Sequence, residues 1–290
     1  MKAQILLPAK DYDLAATLDS GQVFRWRQVE GSWMGMVGRH RVRLTQEREG
    51  ISAETDGPMA DWSWLREFLQ TDVELEKIFK TFPNDEPMNQ AVAACRGLRV
   101  LRQEPWECLA SFILSSTKQI VQIRQIVGRL CEGFGERLGE EAGTHLSHSF
   151  PTAEKIAALS EANLRSCGMG FRAPYFLATA RHIAEGKADL EKLRRLPHHE
   201  ARTELMRLRG VGGKIADCVL LFAYGFDSAF PVDTWVERAL QTLYFPGRKA
   251  GKKKLVEFAA THFGSHAGYA QQYLFHYMRT KREPKPAKHK

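Results

Sequence analysis

Cysteine and histidine are scarce in this chain of 290 residues, and neither is grouped as a set of metal ligands. The cysteines are odd in number, widely spaced and never arranged as Cys-x-x-Cys: they are Cys95, Cys108, Cys131, Cys167 and Cys218. This pattern argues against a disulfide framework, a zinc site and an iron–sulfur cluster, and it favours reduced thiols. His262 and His266 have helical spacing but lack an acidic neighbour. We therefore expect no metal and no organic cofactor.

Long hydrophobic runs are also missing. The longest apolar stretch, residues 218–226, covers about nine residues, whereas a membrane-spanning helix needs roughly 18. The apolar run within residues 1–10 is too short for the hydrophobic region of a signal peptide. We therefore expect an intracellular protein that has no membrane partner.

Acidic residues are the minority among the charged ones. The chain has 34 Asp and Glu against 42 Lys and Arg, a formal net charge of +8. Such a balance favours a polyanionic partner, with nucleic acid as the leading candidate. The apolar fraction of 43% is near the globular average, which excludes wholesale disorder.

The hydrophobic pattern divides the chain into a strand-like part and a helix-like part. Residues 22–56 alternate apolar and polar side chains between turn residues, as antiparallel strands do. After residue 60 the apolar residues recur at spacings of three and four, which is typical of helices. We predict an α+β protein with an antiparallel β domain and flanking helices at 1–100, a helical domain at 101–278 and a basic, disordered tail at 279–290.

A glycine-rich turn between two helical patterns is the most informative segment. Residues 208–218 read LRGVGGKIADC. The glycines permit positive φ and a close approach to a ligand, and the helix that follows presents unpaired N–H groups to an anion. The segment has neither the Lys-Ser/Thr ending of a P-loop nor a preceding strand, so a phosphate-binding helix-hairpin-helix is favoured. The alternative is a plain corner between two helices.

Lys214 lies at the start of the second helix of this hairpin. The next ten residues are apolar except for Asp217. The positive end of the helix dipole and the apolar surroundings both disfavour an ammonium ion there. A neutral amine is a nucleophile for electrophilic carbon, as in Schiff-base chemistry. The alternative is a solvated lysine that binds phosphate beside the hairpin.

Asp233 follows Lys214 by 19 residues and directly precedes a helical pattern that starts at Thr234. A carboxylate at this position is a good helix N-cap. Cap hydrogen bonds also keep a carboxylate ionised and rigid, as electrostatic stabilisation of a developing cation requires. The two roles are compatible.

The hairpin, Lys214 and Asp233 resemble the helix-hairpin-helix DNA glycosylases. Three further segments narrow the resemblance to the lyase-competent 8-oxoguanine DNA glycosylases: residues 20–26 (SGQVFRW), 107–113 (ECLASFI) and 268–275 (GYAQQYLF). The resemblance implies a TATA-binding-protein-like antiparallel domain packed on a helical helix-hairpin-helix glycosylase domain. It also implies a monomer that binds double-stranded DNA containing oxidised guanine and flips the damaged nucleotide, since the glycosidic carbon is out of reach inside the stack.

The resemblance implies a role for each matching residue of the reaction centre. Lys214 would attack C1′ of the nucleotide, and Asp233 would stabilise the positive charge on the sugar. Six residues would surround the flipped base: Gly21, Phe112, Cys218, Phe222, Gln271 and Phe275. Phe275 and Cys218 would sandwich the base, and Gln271 would bond to its Watson–Crick edge. The carbonyl of Gly21 would accept the N7 hydrogen that 8-oxoguanine has and guanine lacks.

The resemblance also implies which residues contact the DNA. The amides of Gly210, Gly212 and Ile215 would bind a phosphate, and Phe171 would wedge into the duplex beside Arg172. This chain departs from the family's common pattern at three DNA-contacting positions: Thr117, Gln122 and Trp235. Thr117 would fill the gap left by the flipped base, Gln122 replaces an arginine that reads the opposite cytosine, and Trp235 replaces a phosphate-binding histidine. We therefore expect relaxed selectivity for the opposite base.

Two other functions stay open at this point. A monofunctional alkylpurine DNA glycosylase has a similar plan but hydrolyses with water and does not need Lys214. A non-catalytic helix-hairpin-helix DNA-binding protein would keep the glycines and the charge, yet has no use for Lys214, Asp233 and a lined pocket together. The endonuclease III and adenine glycosylase branches usually have a four-cysteine cluster, which these cysteines do not form.

Overall fold

An antiparallel sheet forms the N-terminal part of the protein in the computed structural model, which describes residues 2–116, 118–138 and 145–281. Its strands are β1 (Lys2–Pro8), β2 (Trp26–Val29), β3 (Ser32–Val37), β4 (His40–Gln46) and β5 (Gly50–Asp56). They lie in the order β1-β5-β4-β3-β2, and the predicted antiparallel strands between residues 22 and 56 are confirmed. The sequence pattern did not predict β1, which pairs with β5 and places Leu7 opposite Ile51.

Apolar side chains of the sheet form one core with two helices, α1 (Leu14–Asp19) and α2 (Ser63–Leu69). The Trp26 ring lies directly over Gly35 of the neighbouring strand, where a Cβ atom would come within 2.1 Å of the ring. The same ring stacks on Phe68 of α2 with 5.8 Å between centroids. The glycine therefore makes room for the aromatic contact that joins sheet and helix.

The rest of the described chain is helical, as predicted. The further α-helices are α3 (Leu75–Phe79), α4 (Glu86–Ala94), α5 (Pro105–Ser115), α6 (Ile120–Phe134), α7 (Ala153–Ala157), α8 (Glu161–Ser166), α9 (Ala173–Ala184), α10 (His198–Met206), α11 (Gly213–Val219), α12 (Thr234–Tyr244), α13 (Lys252–His262) and α14 (Ala267–Thr280). Residues Gly170–Arg172 form a short 3₁₀ turn that leads into α9. Within the described ranges, no helix is both long and apolar enough to span a membrane.

The helices build a second, larger core, and it includes α3 and α4. Leu75, Ile78 and Met88 are buried in the same cluster as the apolar faces of α5, α11 and α14. Tyr273 of α14 is fully buried, and its ring meets Phe79 edge to face at 5.6 Å. The packing thus joins the end of the predicted 1–100 segment to the helical domain. The boundary at residue 100 itself stays a prediction.

The predicted start of the tail at residue 279 is wrong. Helix α14 continues to Thr280, and Nη2 of Arg279 lies 3.1 Å from the carboxylate of Asp19. The Arg279 guanidinium also lies 5.9 Å from the centre of the Phe275 ring. These contacts stabilise the last helical turn, and a composition argument does not register them. Residues 282–290 lie outside the described residues.

Candidate active site

The glycine-rich segment forms the predicted helix-hairpin-helix between α10 and α11. Gly210 has φ +86°, and a Cβ atom there would lie 2.8 Å from Cβ of Tyr175. Gly212 caps α11, and a Cβ built on it would meet open space. Arg202 of α10 and Asp217 of α11 form a two-pronged ion pair, 2.6 and 3.2 Å, that fixes the two helices to each other. The start of α11 is therefore rigid and accessible to an anion.

Lys214 projects from the first turn of α11 toward α5. Its Nζ donates a hydrogen bond to Oγ of Ser115 at 3.0 Å and lies 5.1 Å from the centre of the Phe112 ring. The Ser115 hydroxyl donates its own proton to the carbonyl of Phe112 at 2.7 Å. The serine oxygen is therefore available as an acceptor, and it holds the amine at the mouth of a pocket.

Asp233 is the N-cap of α12, as its position before Thr234 predicted. Its carboxylate accepts the N–H of Val236 at 2.8 Å. Burial raises the pKa of Asp233, while the cap hydrogen bond and the charge of Lys214 act in the opposite direction. The carboxylate thus lies in a poorly solvated place beside a cation, where its charge acts strongly on its neighbours.

Lys214 and Asp233 line the same pocket, which has a volume of about 410 Å³. All six residues predicted to surround a base also line it: Gly21, Phe112, Cys218, Phe222, Gln271 and Phe275. The rings of Phe112 and Phe222 are nearly parallel, 5.4 Å apart with an angle of 17°, and Phe24 meets Phe112 edge to face. Burial raises the pKa of the Cys218 thiol to about 12, so it is a neutral wall of the pocket.

Two pocket residues have features that suit a polar, planar ligand. Gln271 is 3% exposed, and its Oε1 is buried with no hydrogen-bond partner among the described residues. Gly21 has φ +78°, and a Cβ atom there would lie 2.8 Å from Cδ1 of Ile120 and 3.3 Å from Cε1 of Phe275. The glycine therefore brings its backbone close to the aromatic wall, and the amide oxygen of Gln271 is available to a donor.

Two buried glutamines that the sequence reasoning missed hold the turn at Gly21. Gln272 donates to the carbonyl of Ser20 at 3.0 Å. Gln22 donates to the carbonyls of Thr17 and Arg99 at 3.1 and 2.7 Å, and its own oxygen accepts the N–H of Leu101 at 2.8 Å. Both lie inside the segments that carried the resemblance, but single-residue patterns give no signal for such anchors.

The predicted DNA-contacting residues belong to different elements of the fold. Phe171 is 60% exposed, as a wedge requires, but Arg172 is only 3% exposed and lies 4.3 Å from the Phe171 ring. Gln122 is exposed and accepts the N–H of Gln119 at the start of α6, so its oxygen serves as a helix cap. Trp235 is exposed at the pocket mouth. Thr117 lies outside the described residues.

No cluster of three or more His, Cys, Asp or Glu side chains in the described ranges is placed to hold a metal. Within the described part of the chain, the ionisable side chains that line the pocket and carry a charge in solution are those of Asp233, Lys118, Lys214 and Arg279. The side chains at hand can therefore supply an amine nucleophile, a carboxylate and an aromatic slot.

Comparison with known proteins assigns both parts of the chain to protein families. The family sequence model for the N-terminal domain of 8-oxoguanine DNA glycosylase matches residues 4–109. The family sequence model for the HhH-GPD superfamily base excision DNA repair protein matches residues 110–263. A probable N-glycosylase/DNA lyase of Methanothermobacter thermautotrophicus is 32% identical over 94% of this chain and 95% of its own. The N-glycosylase/DNA lyase OGG1 of Arabidopsis thaliana is 32% identical over 90% of this chain and 76% of its own.

Solved structures agree with the sequence matches. The 8-oxoguanine glycosylase/lyase of Clostridium acetobutylicum, in complex with double-stranded DNA containing cytosine opposite 8-oxoguanine, superposes with a TM-score of 0.86. It is 31% identical, and the match covers 95% of this chain and 97% of that one. The 3-methyladenine DNA glycosylase of Archaeoglobus fulgidus, 23% identical with a TM-score of 0.76, shares the fold. By its two matching domains and its full-length relatives, the chain belongs to the 8-oxoguanine DNA glycosylase family of the HhH-GPD base excision repair superfamily.

Proposed function

We propose that this protein is a bifunctional DNA glycosylase and DNA lyase that excises 8-oxoguanine from duplex DNA in base excision repair. The observation that carries the proposal is the meeting of Lys214 and Asp233 on one pocket whose walls include the rings of Phe112, Phe222 and Phe275. A hydrolytic alkylpurine glycosylase or a non-catalytic DNA-binding protein has no use for an amine held at that place. The N-glycosylase/DNA lyase relatives support the same assignment.

Base excision begins when the Lys214 ammonium group loses a proton to water and the resulting amine attacks C1′ of the flipped nucleotide. The lone pair of Nζ forms the new N–C1′ bond, and the C1′–N9 bond breaks with its electron pair leaving on the base. The proton that the new ammonium loses balances the proton that the base anion takes up. Positive charge develops on the sugar along this path, and the Asp233 carboxylate stabilises it in a site with little water.

Strand cleavage follows from the same covalent bond. Opening of the sugar ring converts the lysine adduct into a Schiff base between Nζ and C1′. The iminium acidifies the hydrogens on C2′, and loss of one of them expels the 3′ phosphate by β-elimination. Water then releases the lysine, so the reaction needs no oxidant or reductant.

Recognition of the oxidised base depends on one hydrogen bond that guanine lacks. The Gly21 carbonyl accepts N7–H of 8-oxoguanine, whereas the bare N7 of guanine would place acceptor against acceptor. A buried unsatisfied polar group costs about 1–3 kcal/mol, or roughly 5- to 150-fold in selectivity. Gln271 supplies its Oε1, which has no partner in the part of the chain that the structure describes, to a donor on the Watson–Crick edge.

Incubation with a duplex that contains one 8-oxoguanine tests the proposed function. Release of the base together with a nick at the lesion is the expected result. Release of the base with an intact strand would instead indicate a hydrolytic glycosylase, and binding without either product would indicate a non-catalytic DNA-binding protein.

The oligomeric state and the cellular compartment follow from the same proposal. One chain contains the whole constellation of nucleophile, carboxylate and base pocket, so we infer that it acts as a monomer on double-stranded DNA. The DNA substrate and the five free, buried cysteines support an intracellular location. Sedimentation of the protein with and without duplex DNA would test the monomer.

Gly21→Ala is expected to slow 8-oxoguanine excision by roughly 10- to 100-fold, because a shift of about 1 Å in a positioning group has effects of that size. The methyl group would meet Ile120 and Phe275 and displace the carbonyl. Gly31→Ala is the matched control, since Gly31 has the same φ of +78° and open space around it. Single-turnover rates compare the two variants, and equal slowing in both would contradict the role of Gly21.

Gln122→Arg is expected to increase the preference for cytosine opposite the lesion. A guanidinium offers several donors in a fixed fork, whereas the Gln122 amide already uses its oxygen as a helix cap. One good bidentate contact is worth about 1–3 kcal/mol, so its absence relaxes the preference by roughly 5- to 150-fold. Excision rates opposite the four bases measure this, and a strict cytosine preference in the unmodified protein would contradict the prediction.

A further inference from the structure

The helix that carries Lys214 does not continue regularly into the base pocket. After Val219 the chain forms a π-helical turn, Leu220–Tyr224, and Phe222 of this turn is the ring that stacks on Phe112. A π turn has wider hydrogen bonding than an α turn and changes the direction of the side chains that follow. The orientation of the Phe222 ring therefore depends on what holds the carbonyl groups of this turn.

Two consecutive residues that lead into α5 hold those carbonyls. Nη1 of Arg102 donates to the carbonyl of Leu221 at 3.0 Å. The backbone N–H of Gln103 donates to the carbonyl of Phe222 at 2.7 Å. Arg102 is itself tied to α2, because its backbone N–H donates to the carbonyl of Phe68 at 3.0 Å. The π turn is thus fastened to the connection between the sheet and the helical part.

Gly225, which ends the π turn, gives a second and independent observation. It has φ +74°, and a Cβ atom there would lie 2.2 Å from Nη2 and 2.4 Å from Cζ of Arg102. The guanidinium therefore lies flat against the backbone of the turn, in space that any side chain at this position would fill. The turn and the arginine are fitted to each other.

We propose that Arg102 is a positioning residue for base excision. It holds the π turn so that Phe222 stays parallel to Phe112 and the slot for the flipped base keeps its shape. Arg102 itself lines a neighbouring cavity of about 610 Å³, on the other side of Phe24, and acts on the base only through Phe222. This inference rests on the proposed function.

The test compares two substrates, because only one of them has a base to place. Arg102→Met is expected to slow excision from an 8-oxoguanine duplex by roughly 10- to 100-fold, while cleavage of a preformed abasic duplex stays within about twofold of the unmodified protein. Arg102→Lys keeps one donor and should recover part of the excision rate. Arg181→Met is the matched control, since Arg181 also donates to main-chain carbonyls, those of Ala157 and Leu159 in another part of the fold.

Unchanged excision in a folded Arg102→Met variant would overturn the proposal. Equal slowing on both substrates would also overturn it, because it would assign Arg102 a general role in folding. If the methionine variant does not fold, Arg102→Lys takes its place. The rate of excision from the 8-oxoguanine duplex is then compared with the rate of cleavage of the abasic duplex in that variant. The angle between the Phe112 and Phe222 rings, 17° here, should increase in a crystal structure of the variant. Measuring this angle needs no substrate, so it tests the role of Arg102 separately from the proposed function. The proposed function fails if the unmodified protein does not cleave the 8-oxoguanine duplex.

Discussion

Lys214→Gln is expected to abolish both strand cleavage and the covalent adduct with DNA that borohydride traps in the unmodified protein. Borohydride reduces a Schiff base to a stable amine, and an amide nitrogen cannot form the Schiff base. Glutamine keeps a polar group near Oγ of Ser115, which holds the lysine amine at 3.0 Å. Binding of the lesion duplex should therefore persist, and a gel-shift assay beside the trapping assay measures both.

Lys118→Gln provides the matched control for this experiment. Lys118 lines the same pocket, and its backbone N–H donates to the carbonyl of Ser115 at 3.3 Å. Its side chain is not held by that serine hydroxyl, so trapping should continue in the Lys118 variant. An undiminished adduct in Lys214→Gln, or loss of the adduct only in Lys118→Gln, would move the nucleophile away from Lys214.

Asp233→Asn is expected to slow base excision by roughly 100- to 1000-fold, the usual size of the loss when one electrostatic stabiliser of a transition state is removed. Asparagine is about as good an N-cap as aspartate, so α12 should remain and lesion binding should be preserved. Single-turnover excision at saturating enzyme is the measurement. A rate equal to that of the unmodified protein would reduce Asp233 to a helix cap.

The control for this variant is another capping aspartate. Asp13 is the N-cap of α1 and accepts the N–H of Ala16 at 2.8 Å, the same distance as in the bond from Val236 to Asp233. Asp13→Asn removes a cap charge at a place away from the pocket. Its excision rate should match that of the unmodified protein.

Burial also gives Asp233 an expected pH signature. Because burial raises its pKa, the carboxyl takes up a proton at a higher pH than an ordinary aspartate as the solution is acidified. As the solution is acidified, the excision rate should therefore begin to fall at a higher pH than an ordinary aspartate would cause. This fall should be missing in Asp233→Asn.

The raised pKa of Asp233 also affects the stability of the folded protein, in a direction that depends on pH. A carboxyl with a folded-state pKa above its unfolded value destabilises the fold at pH values above both. The penalty starts to shrink as the pH falls through the folded pKa and is gone below the unfolded pKa. At neutral pH, Asp233→Asn should be at least as stable as the unmodified protein in thermal unfolding.

Local sequence by itself determined the outline of the fold and the places of Lys214 and Asp233 at the starts of two helices. Alternating apolar residues between 22 and 56 produced β2 to β5, because side chains alternate faces along a strand. The glycines of the hairpin, Lys214 at the start of α11 and Asp233 at the start of α12 are set by helix ends, which depend on a few neighbouring residues. These features could be read without knowing what packs against them.

Tertiary structure alone decided how the base pocket is held. Gln272 bonds to Ser20 across 252 positions, and Arg102 bonds to Leu221 across 119. Arg279 became part of α14 because Asp19, 260 positions away, pairs with it. A periodic pattern reports only which face of an element is buried, whereas these contacts depend on which elements meet and at what angle, and the packing of the whole chain sets that.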